Sequence, residues 1–290
     1  MQIKNNVDEM KVGVLTIEQH LGKQPGWAGS SRIRAEWLTK GWDNAETFKQ
    51  GQKYDVVIYQ KAYWIEHAKQ YDGIKILDLC DPDWLHWQYR IVEMIGNVDA
   101  ITTSTEALAN EIRKFTNKPV LCVPDRLDLE FYKERKFHEG EAKWVVWYGY
   151  SSNYELLKPV LHFLKKFNLN LIVISDKGFS LPVSIGDSIE LRNLPWNIDT
   201  VNQDILEGDI VVNPMDTSRK WKYKSNNKTI AAWALGMPVA HDIEDLKRLI
   251  NPDERKKESK ERLVEVKEKY DIRLSIPEYK GLIEEIIKNK

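Results

Sequence analysis

Cysteine is almost missing: Cys80 and Cys122 are the only two in 290 residues. They lie far apart with no histidine cluster beside them, which excludes a disulfide framework and a structural zinc site and suits a reducing cytoplasm. An excess of charge is missing too. Lys and Arg total 43 against 44 Asp and Glu, so no global field draws the chain to nucleic acid or anionic lipid, and any site for a polyanion has to be local. No apolar run reaches the ~18 residues of a spanning helix. The start, MQIKNNVDEMKVGVLTI, lacks the basic-then-apolar pattern of a secretory signal. A soluble, cytoplasmic protein is expected. What is plentiful is tryptophan, 11 residues in a chain that is 42% hydrophobic. That composition can bury a large core and leave some rings to stack on flat apolar faces such as sugars.

Short apolar runs alternate with helical segments, the pattern of parallel α/β architecture. Strands are expected at 12–17, 55–59, 75–80, 97–103, 119–124, 144–148, 188–191 and 209–213, and in the run LNLIVIS. The first opens into a loop with Gly22, Pro25, Gly26 and Gly29, after which Ser30 and Ser31 cap a helix. The third ends in DPDWLHW, placing Asp81, Asp83 and His86 where open α/β sheets put their ligands, although Asp-Pro-Asp is also ordinary turn chemistry. Residues 133–142, KERKFHEGEA, are charged and aperiodic and read as a linker. The C-terminal stretch reads as helical, interrupted at Pro277 and Tyr279, with Leu263, Val264, Ile272, Leu282 and Ile286 packing.

Residues 219–240, RKWKYKSNNKTIAAWALGMPVA, are the most informative stretch. Ser225, Asn226 and Asn227 cap a helix that Gly236 and Pro238 end. Arg219, Lys220, Lys222, Lys224 and Lys228 crowd its start. Cations oppose the macrodipole there unless an anion offsets them, so a diphosphate cradle is indicated. The alternative is an exposed basic loop before an ordinary helix.

NKTIAAWALGMPVA resembles the nucleotide-sugar-binding helix of group-one GT-B glycosyltransferases, matching at Asn227, Lys228, Gly236, Pro238 and Val239. VDAITTSTEALANEIRKFTNKPVLCVPDRLDLEFY resembles the end of that family's first domain, and GDIVVNPMD before the basic loop is a third match in the right order. The resemblance implies an α/β fold of two Rossmann-like domains facing a central cleft: residues 1–138 on the acceptor side, 139–265 binding nucleotide sugar, and 266–290 crossing back to the first domain. It implies donor contacts from Gly149, Ser151, Asp216, Arg219, Lys224, Ser225, Asn227 and Lys228, and cleft positions for Gly29, Ser30 and Arg32. Asp78 and Asp81 match an Asp-x-x-Asp after a strand, and with His86 form the catalytic candidates. Two departures stand out. Ala231 replaces a glutamate common in the family, and Tyr150, Ser151 and Ser152 follow Gly149 where a basic pair is usual.

The implied activity is metal-independent, retaining transfer of a sugar from a donor such as a UDP- or GDP-sugar, a cosubstrate in a chain with no resident cofactor. The acceptor would be a glycan, lipid-linked sugar, protein or modified base, with nucleic acid disfavoured by the balanced charge. A nucleotide-sugar epimerase of the same fold and a non-catalytic nucleotide-sugar-binding protein are the alternatives.

Overall fold

The protein is described by a computed structural model that covers residues 6–24, 28–214 and 221–290, and of Asp187 the backbone alone. Its apolar runs become two separate parallel sheets. The first joins β1 (Val12–Thr16), β2 (Ala45–Thr47), β3 (Val56–Gln60), β4 (Ile74–Leu79), β5 (Ala100–Thr103) and β6 (Val120–Cys122) in the order β2-β1-β3-β4-β5-β6. β1 and β3 are buried at every position, as continuous apolar strands covered on both faces must be. The second joins β7 (Trp144–Tyr148), β8 (Asn170–Ser175), β9 (Leu191–Pro195), β10 (Ile210–Val212) and β11 (Val239–Ala240) in the order β11-β10-β7-β8-β9. Strand order reverses at β1 in one sheet and at β7 in the other, and such switch points open a crevice at the strands' C-terminal ends.

The chain divides into two compact units. Unit 1 comprises Met1–Asp128, Ser218–Asn226 and Tyr270–Lys290; unit 2 comprises Leu129–Thr217 and Asn227–Lys269. The first boundary lies ten residues before the expected one (138 − 128 = 10). The charged 133–142 stretch is pinned to unit 2, with the Lys136 N–H donating to Leu235 O at 2.9 Å and His138 Nε2 2.8 Å from Gly236 O. Residues 270–290 pair with unit 1 through Leu127, whose N–H donates to Tyr270 O at 2.8 Å and whose carbonyl accepts from the Ile272 N–H at 2.9 Å. Unit 1 also takes in the end of the basic loop: Tyr223 is buried in its core against Trp84, ring centroids 5.1 Å apart.

Several expectations are corrected. Pro277 and Tyr279 do not interrupt a helix, because Pro277 falls in the first turn of Ser275–Lys288, where a missing N–H costs nothing. Val264 is exposed rather than packed. β9 begins where the 188–191 run ends, since this half-exposed edge strand carries no buried alternation. The Asp-Pro-Asp turn is present, and Asp83 opens the helix Trp84–Gly96 directly.

One buried ion-pair network ties unit 1 together. Arg34 sits in a π-helical stretch, Arg32–Glu36, between the helical segments Gly29–Ser31 and Trp37–Gly41. Its guanidinium donates to Asp78 at 2.8 and 2.6 Å, to Asp125 at 2.7 Å and to Val123 O at 3.0 Å. Asp78 also accepts from Thr102 at 2.6 Å and from the Tyr279 hydroxyl at 3.2 Å. Removing one partner of such a cluster strands the other charges in a dry interior. Arg34→Met is expected to destabilise unit 1 by about 3–5 kcal/mol, and Tyr279→Phe by about 1 kcal/mol; urea unfolding of the full chain measures both.

Candidate functional site

In unit 1 the chemistry gathers at the C-terminal ends of β3 and β4. After β3, Lys61 adopts φ 52°, a left-handed conformation rare for a lysine, and the cost of holding it there points to a use for its side chain. Lys61 Nζ lies 2.6 Å from Asp81 and 3.4 Å from Asp83. Asp81 also pairs with Lys224 through its other oxygen, and the Tyr63 hydroxyl donates to Asp83 at 2.7 Å. Burial pushes both carboxyls up. At Asp81 the ammonium groups of Lys61 and Lys224 outweigh burial and hold it below the usual carboxylate range. At Asp83 burial prevails and the carboxyl is raised, the better setting for accepting a proton.

The candidate residues of this unit divide accordingly. Asp81 stands in the cluster, at the surface end of β4. Asp78, 0% exposed, is held by Arg34, Thr102 and Tyr279, with no surface to offer a substrate. His86 is exposed on the helix Trp84–Gly96. Gly29 and Ser30 begin the helical segment Gly29–Ser31, and Arg32 lies over the Trp37 ring with 5.6 Å to its centroid. Ser31, beside them, donates to Gln60 at 3.3 Å. Lys61 was not among the expected residues, and its one sequence signal is a lysine directly after the apolar strand DVVIYQ.

In unit 2 the switch-point strand β7 ends at Gly149, and the helix Asn227–Ala234 brings Lys228 to it. Gly149 has φ 152°, and a Cβ there would collide with Lys228 Nζ and stand 3.2 Å from Lys228 Cε. Lys228 Nζ lies 5.3 Å from the Trp147 ring centroid, a cation–π approach that orients it, and its carbonyl accepts from the Tyr148 hydroxyl. Asn227 supplies the first residue of that helix. Ser151 is turned to the end of β8, its N–H and hydroxyl donating to Asp176 at 2.7 and 3.0 Å. Those bonds hold the Asp176 carboxyl below its ordinary range.

Lys224 and Ser225, expected beside Lys228, belong to unit 1, where Lys224 is neutralised by Asp81 and Ser225 donates to Asp125 at 2.5 Å. Carboxylates within reach compete for the same donors that an anion would use. Asp216 and Arg219 lie outside the described residues. Among the described residues no three His, Cys, Asp or Glu side chains gather to hold a metal ion, and no helix is long and apolar enough to cross a membrane. Gly149→Ala meets both the positive φ and the lysine, so it should destabilise unit 2 by about 1–2 kcal/mol in denaturant unfolding, the penalty of a side chain in left-handed space.

No family model and no curated protein sequence matches the chain. Solved structures do. AviGT4, a glycosyltransferase involved in avilamycin A biosynthesis, is 12% identical over 95% of this chain and 98% of that one, with a TM-score of 0.57. The DNA-modifying enzyme beta-glucosyltransferase, solved in the presence and absence of its substrate uridine diphosphoglucose, is 12% identical over 97% and 99%, with a TM-score of 0.50. A chain of the Glycosylation Associate Protein (Gap123) complex from Streptococcus agalactiae is 12% identical at a TM-score of 0.44, and the present chain spans 54% of its length. At such identities a likeness speaks for architecture. Taken with the two parallel sheets, it gives this chain the α/β fold of the GT-B glycosyltransferases, with two Rossmann-like units.

Proposed function

We propose that the chain is a glycosyltransferase that moves a sugar from a nucleotide-sugar donor to a hydroxyl-bearing acceptor, with retention and without a metal. The observation that carries this reading is the pairing of Gly149 with Lys228 at the switch point of unit 2. A bare glycine lets a phosphate approach the backbone, and the start of the helix Asn227–Ala234 offers amides and a dipole to an anion. Lys228 adds a full charge where negative charge develops as a nucleoside diphosphate leaves. The aromatic face of Trp147 fixes that ammonium in advance, so little reorganisation accompanies the reaction. Fold likeness to sugar-transferring enzymes supports the same reading.

Acceptor chemistry belongs, in this reading, to the unit 1 cluster. Asp81, clamped by two ammonium groups, is suited to gripping an acceptor hydroxyl, and Asp83, with its raised carboxyl, to taking the proton. Ala231 offers no carboxylate to the donor, so ribose or sugar contacts of that kind have to come from other residues.

Lys228→Ala should weaken UDP or GDP binding about ten- to a hundredfold, the worth of one charge-assisted contact, as measured by titration calorimetry. Unchanged affinity in the folded variant removes the donor-site assignment. Asp83→Asn should leave diphosphate affinity intact and lower transfer about a hundredfold or more. Isomerisation of a nucleotide sugar incubated alone would favour an epimerase instead.

A further inference from the structure

The helix Trp84–Gly96 hides Trp84 and most of the apolar residues of its second half but leaves two aromatic rings outside. Ile91, Met94 and Ile95 are buried, but residues 85–90 are exposed one after another. Trp87 is 52% exposed and Tyr89 79%. Trp87 also leaves helical geometry, with φ −133° and ψ 42°. Its ring meets Tyr63 edge-on, with centroids 6.5 Å apart and planes at 66°. Tyr63 in turn donates to Asp83, Asp83 lies 3.4 Å from Lys61, and Lys61 pairs with Asp81. A half-open indole therefore stands next to a row of carboxylates and an ammonium. Two non-glycine backbone departures, at Lys61 and Trp87, flank that row.

We propose that Trp87 is the stacking platform of a pyranose subsite in unit 1, so that the acceptor is itself a glycoside. A pyranose ring has one C–H face that packs on an indole and a rim of hydroxyls that pair with carboxylates and ammonium groups. The row beginning at Asp83 answers the rim and Trp87 answers the face. A purely apolar ligand would make no use of the carboxylate oxygens and ammonium hydrogens that Asp81, Asp83 and Lys61 keep beyond their bonds to one another, and would strip water from them at a cost. A phosphorylated or anionic-lipid ligand would meet two aspartates. The inference rests on the glycosyltransferase reading above for the role of the sugar, and on unit 1 alone for its binding.

The test uses the full chain without nucleotide. Methyl α- and β-glycosides of glucose, galactose, mannose, N-acetylglucosamine and rhamnose, with maltose and cellobiose, are screened by saturation-transfer NMR, and the strongest binder is titrated. At least one should bind saturably. Trp87→Ala should weaken it at least about tenfold and Trp87→Phe should recover it to within about threefold, because stacking needs a ring and not an indole N–H. Thermal melting of both variants controls for folding; a half-exposed side chain should leave it nearly unchanged. Absence of saturable binding, or binding that Trp87→Ala leaves intact, overturns the proposal. So does Trp87-dependent sedimentation with phosphatidylcholine–phosphatidylglycerol vesicles in place of glycoside binding, which would assign the helix to a lipid surface. UDP binding through Lys228 with no glycoside binding sinks this inference alone; glycoside binding through Trp87 with no UDP or GDP binding sinks the donor reading alone.

Discussion

Unit 1 depends on a guanidinium that has almost no access to water. Burial works against the charge of Arg34, and the carboxylates of Asp78 and Asp125 outweigh it, so the group is held firmly ionised. Six parts of the chain meet on this cluster: the π-helical stretch that carries Arg34, strand β4 with Asp78, strand β5 with Thr102, the segment after β6 with Asp125, the helix Ser275–Lys288 with Tyr279, and the end of the basic loop with Ser225. A buried ion pair of this kind contributes little net stability compared with apolar packing, but it penalises every arrangement in which one partner is missing. It therefore acts on which segments belong together more than on how tightly they hold. It also explains how a C-terminal helix and a loop lying between two parts of unit 2 in sequence become members of unit 1.

That frame positions the reactive row just beyond it. Asp78 and Asp81 are three residues apart and share a strand end, yet their surroundings make them different groups. Asp78 is enclosed by four bonded donors from three side chains, and Asp81 faces two ammonium groups near the surface. Asp83, two residues further, is raised because burial outweighs the ammonium of Lys61 and the hydroxyl of Tyr63. Asp81 and Asp83, two residues apart, are thus shifted in opposite directions, the separation by which acid–base roles are divided in a site.

Unit 2 reaches its arrangement by topology. Order reverses at β7, so the crevice beside it is uncovered by a crossover, and the helix after β10 delivers its N-terminal turn there. Gly149 and Lys228 then interlock, with the space of a missing Cβ taken by the lysine's end.

Strands buried on both faces announce themselves as unbroken apolar runs, which is why DVVIY, KILDLC and LNLIVIS could be placed from residues alone, and why the α/β plan and the start of the Lys228 helix were legible. Gly149 was singled out by the resemblance, and its positive φ is a backbone that few other residues tolerate. Charge partners were not legible. Lys224 and Lys228 are four residues apart in one basic run, yet one pairs with Asp81, 143 residues away, and the other stands over Trp147. A Coulomb partner is chosen by distance in space and by the cost of drying each ion, and neither quantity is written in the order of residues.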